Sequence, residues 1–227
     1  MFAIGLGRTI AGMILASDPE LIPRVVTMLA GVGVVVAIAV VVIRMKSREH
    51  DKRQAIWRQF ALENRLSLTV EPDSWLKLGE FKITGNILNL ELELSTYRVQ
   101  AGKATQTWVR VRTKGPGPEG NFRIETANIL TRAGALLGLR RDTIDEGSFD
   151  HDFLTRSVPE SLAREVFDEP LRAHFASLTR KPRLTYANDV CELTWQCGDE
   201  SLGQLTDAVQ LHAMLRGAFA RMGRRSN

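Results

Sequence analysis

Val25 to Ile43 reads VVTMLAGVGVVVAIAVVVI, with no charge, no Asn or Gln, and one hydroxyl, Thr27. At 1.5 Å per helical residue, about 19 residues reach roughly 28 Å, close to the hydrocarbon thickness of a bilayer. Inside lipid every backbone amide must be bonded within its own segment, so the stretch is expected to be a transmembrane helix. A buried core strand is the first rival, because the run is rich in β-branched Val, but core strands rarely pass about ten residues. A cleaved signal peptide is the second. It needs a basic start, a shorter apolar core and a small-residue cleavage site, whereas Arg44, Met45, Lys46 and Ser47 follow this run. An uncleaved anchor is the reading that remains.

The flanks set orientation. Arg44, Lys46, Arg48, Lys52 and Arg53 follow the span, and only Arg8 and Arg24 precede it. A Lys/Arg excess marks the cytoplasmic side, so the C-terminal part is expected in the cytoplasm of a bacterial inner-membrane protein. The same five residues are the expected membrane-surface contacts, at about 1 kcal/mol each beside anionic lipid. Within the span, Gly33 and Ala37 form a small-xxx-small pair, the spacing that lets two helices approach closely, so a homodimer through the span is one expectation.

The chain has 227 residues and a formal net charge of +4. Removing anchor and leader leaves enough for one domain with a core of its own. Much of the basic excess lies beside the membrane and in an Arg-rich end (Arg216, Arg221, Arg224, Arg225), with no aromatic-studded basic motif, so nucleic acid is not an expected partner. Two cysteines, Cys191 and Cys197, suit a reducing compartment without a disulfide framework.

Residues 1–24 read as a short non-cytoplasmic leader. Ala55, Ile56, Trp57, Phe60 and Leu62 fall near helical spacing, so 44–66 is expected as a basic juxtamembrane helix with Trp57 and Phe60 in the core. The period then changes to two. In NILNLELEL, Leu88, Leu90, Leu92 and Leu94 share one face of a half-buried antiparallel strand, with a hairpin expected at Thr84-Gly85-Asn86. Trp108, Val109 and Val111 mark the next strand, whose Arg110 and Arg112 are expected to meet Glu91 and Glu93 across the sheet. Gly115 to Gly120 is a turn-forming break before FRIET. Ala127 to Arg141 is ambiguous, with Gly134 and Gly138 weakening a helix. Thr143 to Thr155 reads as a polar turn leading into a strand, with Phe149 and Phe153 as anchors. Pro159 is expected in the first turn of a helix through Leu162, Val166 and Phe167, and a second helix follows Pro170. Leu184 and Tyr186, a turn at Asn188-Asp189, and VCELTWQC make a closing hairpin with both cysteines as small core hydrophobes. Leu202 to Phe219 stripe a terminal helix. Strands segregated from helices predict an α+β domain over 67–221, an antiparallel sheet packed with helices, and a basic tail over 222–227.

The stretch Thr143 to Phe153 resembles a segment of bacterial membrane-anchored proteins of unknown function that carry a Phe-Asp-x-x-Phe motif. The likeness rests on Trp57, Gly85, Phe149, Asp150 and Phe153, and spans roughly residues 50–220. It implies one or two N-terminal spans, a juxtamembrane helix with a Trp and a Gly turn after a strand. It implies no activity.

Motifs for catalysis are absent by inspection. Asp150-His151-Asp152 invites a metal reading, but neighbouring side chains on an extended chain diverge, and His50, His174 and His212 are isolated. The glycines at 115, 117 and 120 precede a strand, whereas a phosphate loop needs a following helix N-terminus. No serine elbow, paired-cysteine redox motif or zinc-protease motif is found. The expected function is therefore a single-pass membrane-anchored protein whose cytoplasmic domain is an interaction or scaffold module, with no catalytic residue, metal or cofactor and an unidentified protein partner. Lipid or amphiphile binding in a cleft between sheet and helices is the alternative, and an enzyme lacking familiar motifs is a further one. A deep apolar cleft would favour the amphiphile, an exposed apolar patch or sheet edge the scaffold, and converging polar groups with perturbed titration the enzyme.

Overall fold

The computed structural model describes residues 21–70, 80–102, 104–127, 144, 148–178, 182–198 and 201–225. The chain divides into two compact units, Met1–Asp51 and Lys52–Asn227. A single helix, α1 (Leu21–Glu63), contains both the apolar run and the amphipathic stretch after it. From Val26 to Ile43 the α1 side chains stand exposed, and the helix is long and apolar enough to cross a membrane. Apolar residues arranged all round a helix, with nothing packed on them, are what a lipid-embedded segment requires.

The second unit is α+β. Eight antiparallel strands form one sheet: β1 (Ser67–Val70), β2 (Phe81–Ile87), β3 (Leu90–Ala101), β4 (Ala104–Lys114), β5 (Asn121–Thr126), β6 (Phe153–Val158), β7 (Arg183–Ala187) and β8 (Val190–Gln196). Their spatial order is β1-β2-β3-β4-β8-β7-β5-β6. Among the described residues the helices of this unit are α2 (Ser148–Asp152), α3 (Leu162–Val166), α4 (Glu169–Ser177) and α5 (Leu202–Arg225).

Alternation fixes which face is buried. Leu92 and Leu94 of β3, Val109 and Val111 of β4, Leu184 and Tyr186 of β7, and Cys191, Leu193 and Trp195 of β8 all point to one side, where the helices lie. Leu205, Leu211, Leu215 and Phe219 of α5 close that side, as do Trp57 and Phe60 from the end of α1. Trp57 tilts against Phe81 at 5.5 Å between ring centroids. The opposite sheet face is charged. There Glu93 takes Lys82 at 2.9 Å and Arg110 at 3.4 Å, and Arg112 takes Glu192 at 3.8 Å. Arg110 thus meets Glu93 as expected, while Arg112 turns to β8 instead, because β8 supplies a carboxylate in the same register row.

Several local expectations are corrected. The β2–β3 hairpin turns at Leu88-Asn89, both at positive φ, and not at Thr84-Gly85-Asn86, which lies inside β2. A two-residue hairpin needs positive φ at both central positions, so Leu88 leaves the core face and is exposed. Gly85 is needed for another reason: its φ is +151° and a Cβ would meet Leu66. Trp108 lies on the charged face, one residue out of phase with Val109. Phe149 to Asp152 form a short helix where a turn was expected. The helix after Pro159 starts at Leu162, since Val158 still belongs to β6. Most of Ala127 to Arg141 lies outside the described residues.

Candidate functional site

The groove is built around the loop after β4. Gly115-Pro116-Gly117-Pro118 leaves the sheet with no ladder partners for its carbonyls, and Arg216 of α5 supplies them. Its Nη1 donates to Gly115 O at 2.6 Å and Pro116 O at 3.2 Å, and its Nη2 to Thr113 O at 3.1 Å and Asp189 O at 3.2 Å. A planar fork of donors suits this task better than an ammonium. The same guanidinium lies 5.5 Å from the Phe219 ring centroid. Asp189 Oδ1 accepts from Gly117 N at 3.1 Å, and the Tyr186 hydroxyl donates to Pro118 O at 2.9 Å. Burial and the neighbouring Asp189 carboxylate push the Tyr186 phenol up to about 12. Any side chain at Gly117 would collide with that hydroxyl, so the backbone can only approach here as glycine.

Pinned in this way, the loop forms one wall of a groove of about 920 Å³. Leu90, Leu162, Phe219 and Met222 line it, with Pro116 and Pro118 on the loop side, and Lys114, Glu119 and Glu165 also border it. That volume lies in the range of small-molecule sites. Beneath it, His212 is fully buried with its Nδ1 2.9 Å from Thr113 Oγ1. Burial, then the Arg216 charge, lowers its pKa to about 3, so the imidazole is neutral.

The expected site residues are placed as follows. Arg44, Arg48 and Lys52 recur every fourth residue of α1 and are exposed, one stripe on the helix; Arg53 is half-buried, and the Lys46 side chain lies outside the described residues. Gly33 and Ala37 are exposed, and a Cβ added at Gly33 meets nothing within 4 Å. Asp150 is buried and accepts from Ile144 N at 3.2 Å, while His151 and Asp152 are exposed and 3.1 Å apart, so the three carboxyl and imidazole groups serve different surroundings. Phe149 and Phe153 tilt against each other at 4.7 Å between ring centroids and meet Phe175, which makes the two phenylalanines of the Phe-Asp-x-x-Phe segment a core anchor. Among the described residues no cluster of three or more His, Cys, Asp or Glu is placed to hold a metal. Cys191 is buried, and desolvation raises its thiol to about 12. Arg216 and Arg221, counted in sequence with a basic end, are engaged instead: Arg221 pairs with Asp168 at 2.7 Å. Sequence reasoning missed the groove because it is assembled from the start of β3, the end of β4 and the loop after it, α3 and α5. The available signal was a proline-glycine loop together with an arginine inside an otherwise apolar helix stripe.

No protein-family model matches the chain. No curated protein matches it either. Among solved structures, the chain is similar to the crystal structure of the mycobacterial trehalose monomycolate transport factor A, with 8% identity, 71% of this chain and 91% of that chain covered, and a TM-score of 0.46. At that distance the similarity is one of general layout.

Proposed function

We propose that this is a single-pass membrane protein whose cytoplasmic α+β domain binds a lipid or other amphiphile at the groove beside Arg216. The groove carries the reading: its volume suits a small ligand, its lining is mainly apolar, and Lys114 offers a cation at its border. Lys114 has no carboxylate partner among the described residues, while the Arg216 guanidinium is taken up by the loop carbonyls. The apolar part of α1 supplies a reason for such a domain to stay near its ligand, and the cluster Arg44 to Arg53 supports an inner-membrane orientation with the domain inside. The chain acts by binding and not by catalysis in this reading, and it belongs with the membrane-anchored proteins carrying the Phe-Asp-x-x-Phe segment.

The test is uptake of a fluorescent fatty acid by the full chain in nanodiscs. Ala220 is exposed and borders the groove, so Ala220→Trp fills it without disturbing the core. Binding that is saturable and at least tenfold weaker in Ala220→Trp supports the proposal; equal binding by both forms sinks it. A scaffold role for the same domain is the second reading, favoured by a sheet that ends in β1 and β6 and by Val158, 64% exposed at the end of the latter.

A further inference from the structure

On the charged face of the sheet most cations have a carboxylate. Lys82 and Arg110 share Glu93, Arg112 faces Glu192, and Glu125 takes Arg123 at 2.7 Å and Arg183 at 3.1 Å. Arg156 of β6 differs. It is exposed, bonds to no carboxylate among the described residues, and stands in register directly opposite Arg123. Like charges directly opposite across an antiparallel pair are destabilising, and the Cβ atoms of such a pair are only about 5 Å apart. Two guanidinium groups therefore already share Glu125, and Arg156 adds a third positive charge opposite one of them.

The same place is concave. A hollow of about 660 Å³ is lined by Asn121, Arg123, Arg156 and Thr185, with Val158 and Glu160 also bordering it. Thr185 is in register with Arg123 on the side away from Arg156, its hydroxyl donating to Glu192 O at 3.5 Å, so guanidinium and amide donors share one hollow. Glu160 is the one carboxylate in this lining, and it leaves the cluster of Arg123, Arg156, Arg183, Glu125 and Glu160 with a net positive charge. Two planar forks a strand apart match the oxygens of a tetrahedral anion, each able to donate in pairs.

We propose that the Arg123–Arg156 pair binds a phosphate-class oxyanion, carried by a lipid headgroup or by a soluble phosphorylated molecule. The inference does not depend on the groove reading: Arg123 and Arg156 lie on the charged face of the sheet and do not line the groove, although Pro159 borders both hollows. It is tested with the full chain in phosphatidylcholine nanodiscs, by hydrogen exchange of the β5 and β6 amides during titration with inorganic phosphate at constant ionic strength. Saturable protection of both strands is expected, with Arg156→Gln needing about tenfold more phosphate because a charge-assisted pair is lost. Arg156→Lys, which keeps charge but not the fork, should fall between. Repeating the experiment without phosphate in phosphatidylglycerol nanodiscs identifies the source. Protection already present there assigns a lipid headgroup, and protection seen only with added phosphate assigns a soluble ligand; both uphold the site. No protection in either arm, or wild-type titration by Arg156→Gln, overturns it.

Discussion

Two helices of this chain use nearly the same residue types to opposite ends. The apolar part of α1 shows its Val, Ile and Met to the surroundings, with Val35 66% exposed, whereas in α5 Leu205, Leu211 and Leu215 are fully buried against the sheet. The difference is not hydrophobic content alone but its distribution. In α5 the apolar positions recur at three and four, so a sheet can cover them while Thr206, Asp207 and Arg221 stay in water. In α1 from Val26 to Ile43 no polar face exists, and no protein surface of one side could cover it. One helix is covered by a fold, and the other is long and apolar enough to cross a membrane.

That contrast makes different demands on a single carboxylate. Leu211→Asp should have the largest effect: it removes a packed side chain and buries an unpaired charge, a loss of about 5 kcal/mol that rivals the whole stability of an ordinary domain. Circular dichroism and urea unfolding would show the α+β unit lost. Val35→Asp should leave that unit folded and cost about 3 kcal/mol of membrane insertion, read as a fall in the membrane fraction. If Val35→Asp unfolded the α+β unit, or Leu211→Asp spared it, the two helices would not differ as described.

Acid sharpens the comparison within the folded unit. The native His212 pKa is lowered to about 3 by burial, below the unfolded value near 6.5, so the native state binds fewer protons between these values. Its contribution is complete above about pH 6.5 and is lost as pH falls toward 3, by about 1.4 kcal/mol per unit. Urea midpoints at pH 7 and 5 should differ by that slope, and His212→Asn should flatten it. The smallest effect belongs to the charged face. The hydrogen bond from Lys82 holds the Glu93 carboxyl below its ordinary value, aided by the charges of Lys82, Arg110 and Arg112 and opposed by desolvation. The pairs are partly exposed, so Glu93→Gln should cost less than about 1 kcal/mol in the same unfolding experiment.

Much of this architecture was readable because period and burial agree. The alternation in LELEL marks the buried leucines of β3, and the stripe from Leu205 to Phe219 marks the covered face of α5. The failures occur where a turn depends on φ and not on hydrophobicity. Leu88-Asn89 lacks the usual glycine of a two-residue hairpin, so the more conspicuous Gly85 drew the turn away from it. The groove was hidden for another reason. Arg216 and Gly115 are joined across a separation of about a hundred residues, and no local pattern announces that an arginine on a helix will hold the carbonyls of a distant loop. Arg156 was hidden likewise, since its meaning lies in the register that sets it against Arg123.

The most direct measurement of the central claim is alkaline carbonate extraction of membranes from cells expressing the full chain, followed by detergent. A lipid-embedded Val26–Ile43 segment keeps the protein in the pellet through carbonate and releases it only with detergent. Recovery of folded protein in the carbonate supernatant would contradict the account.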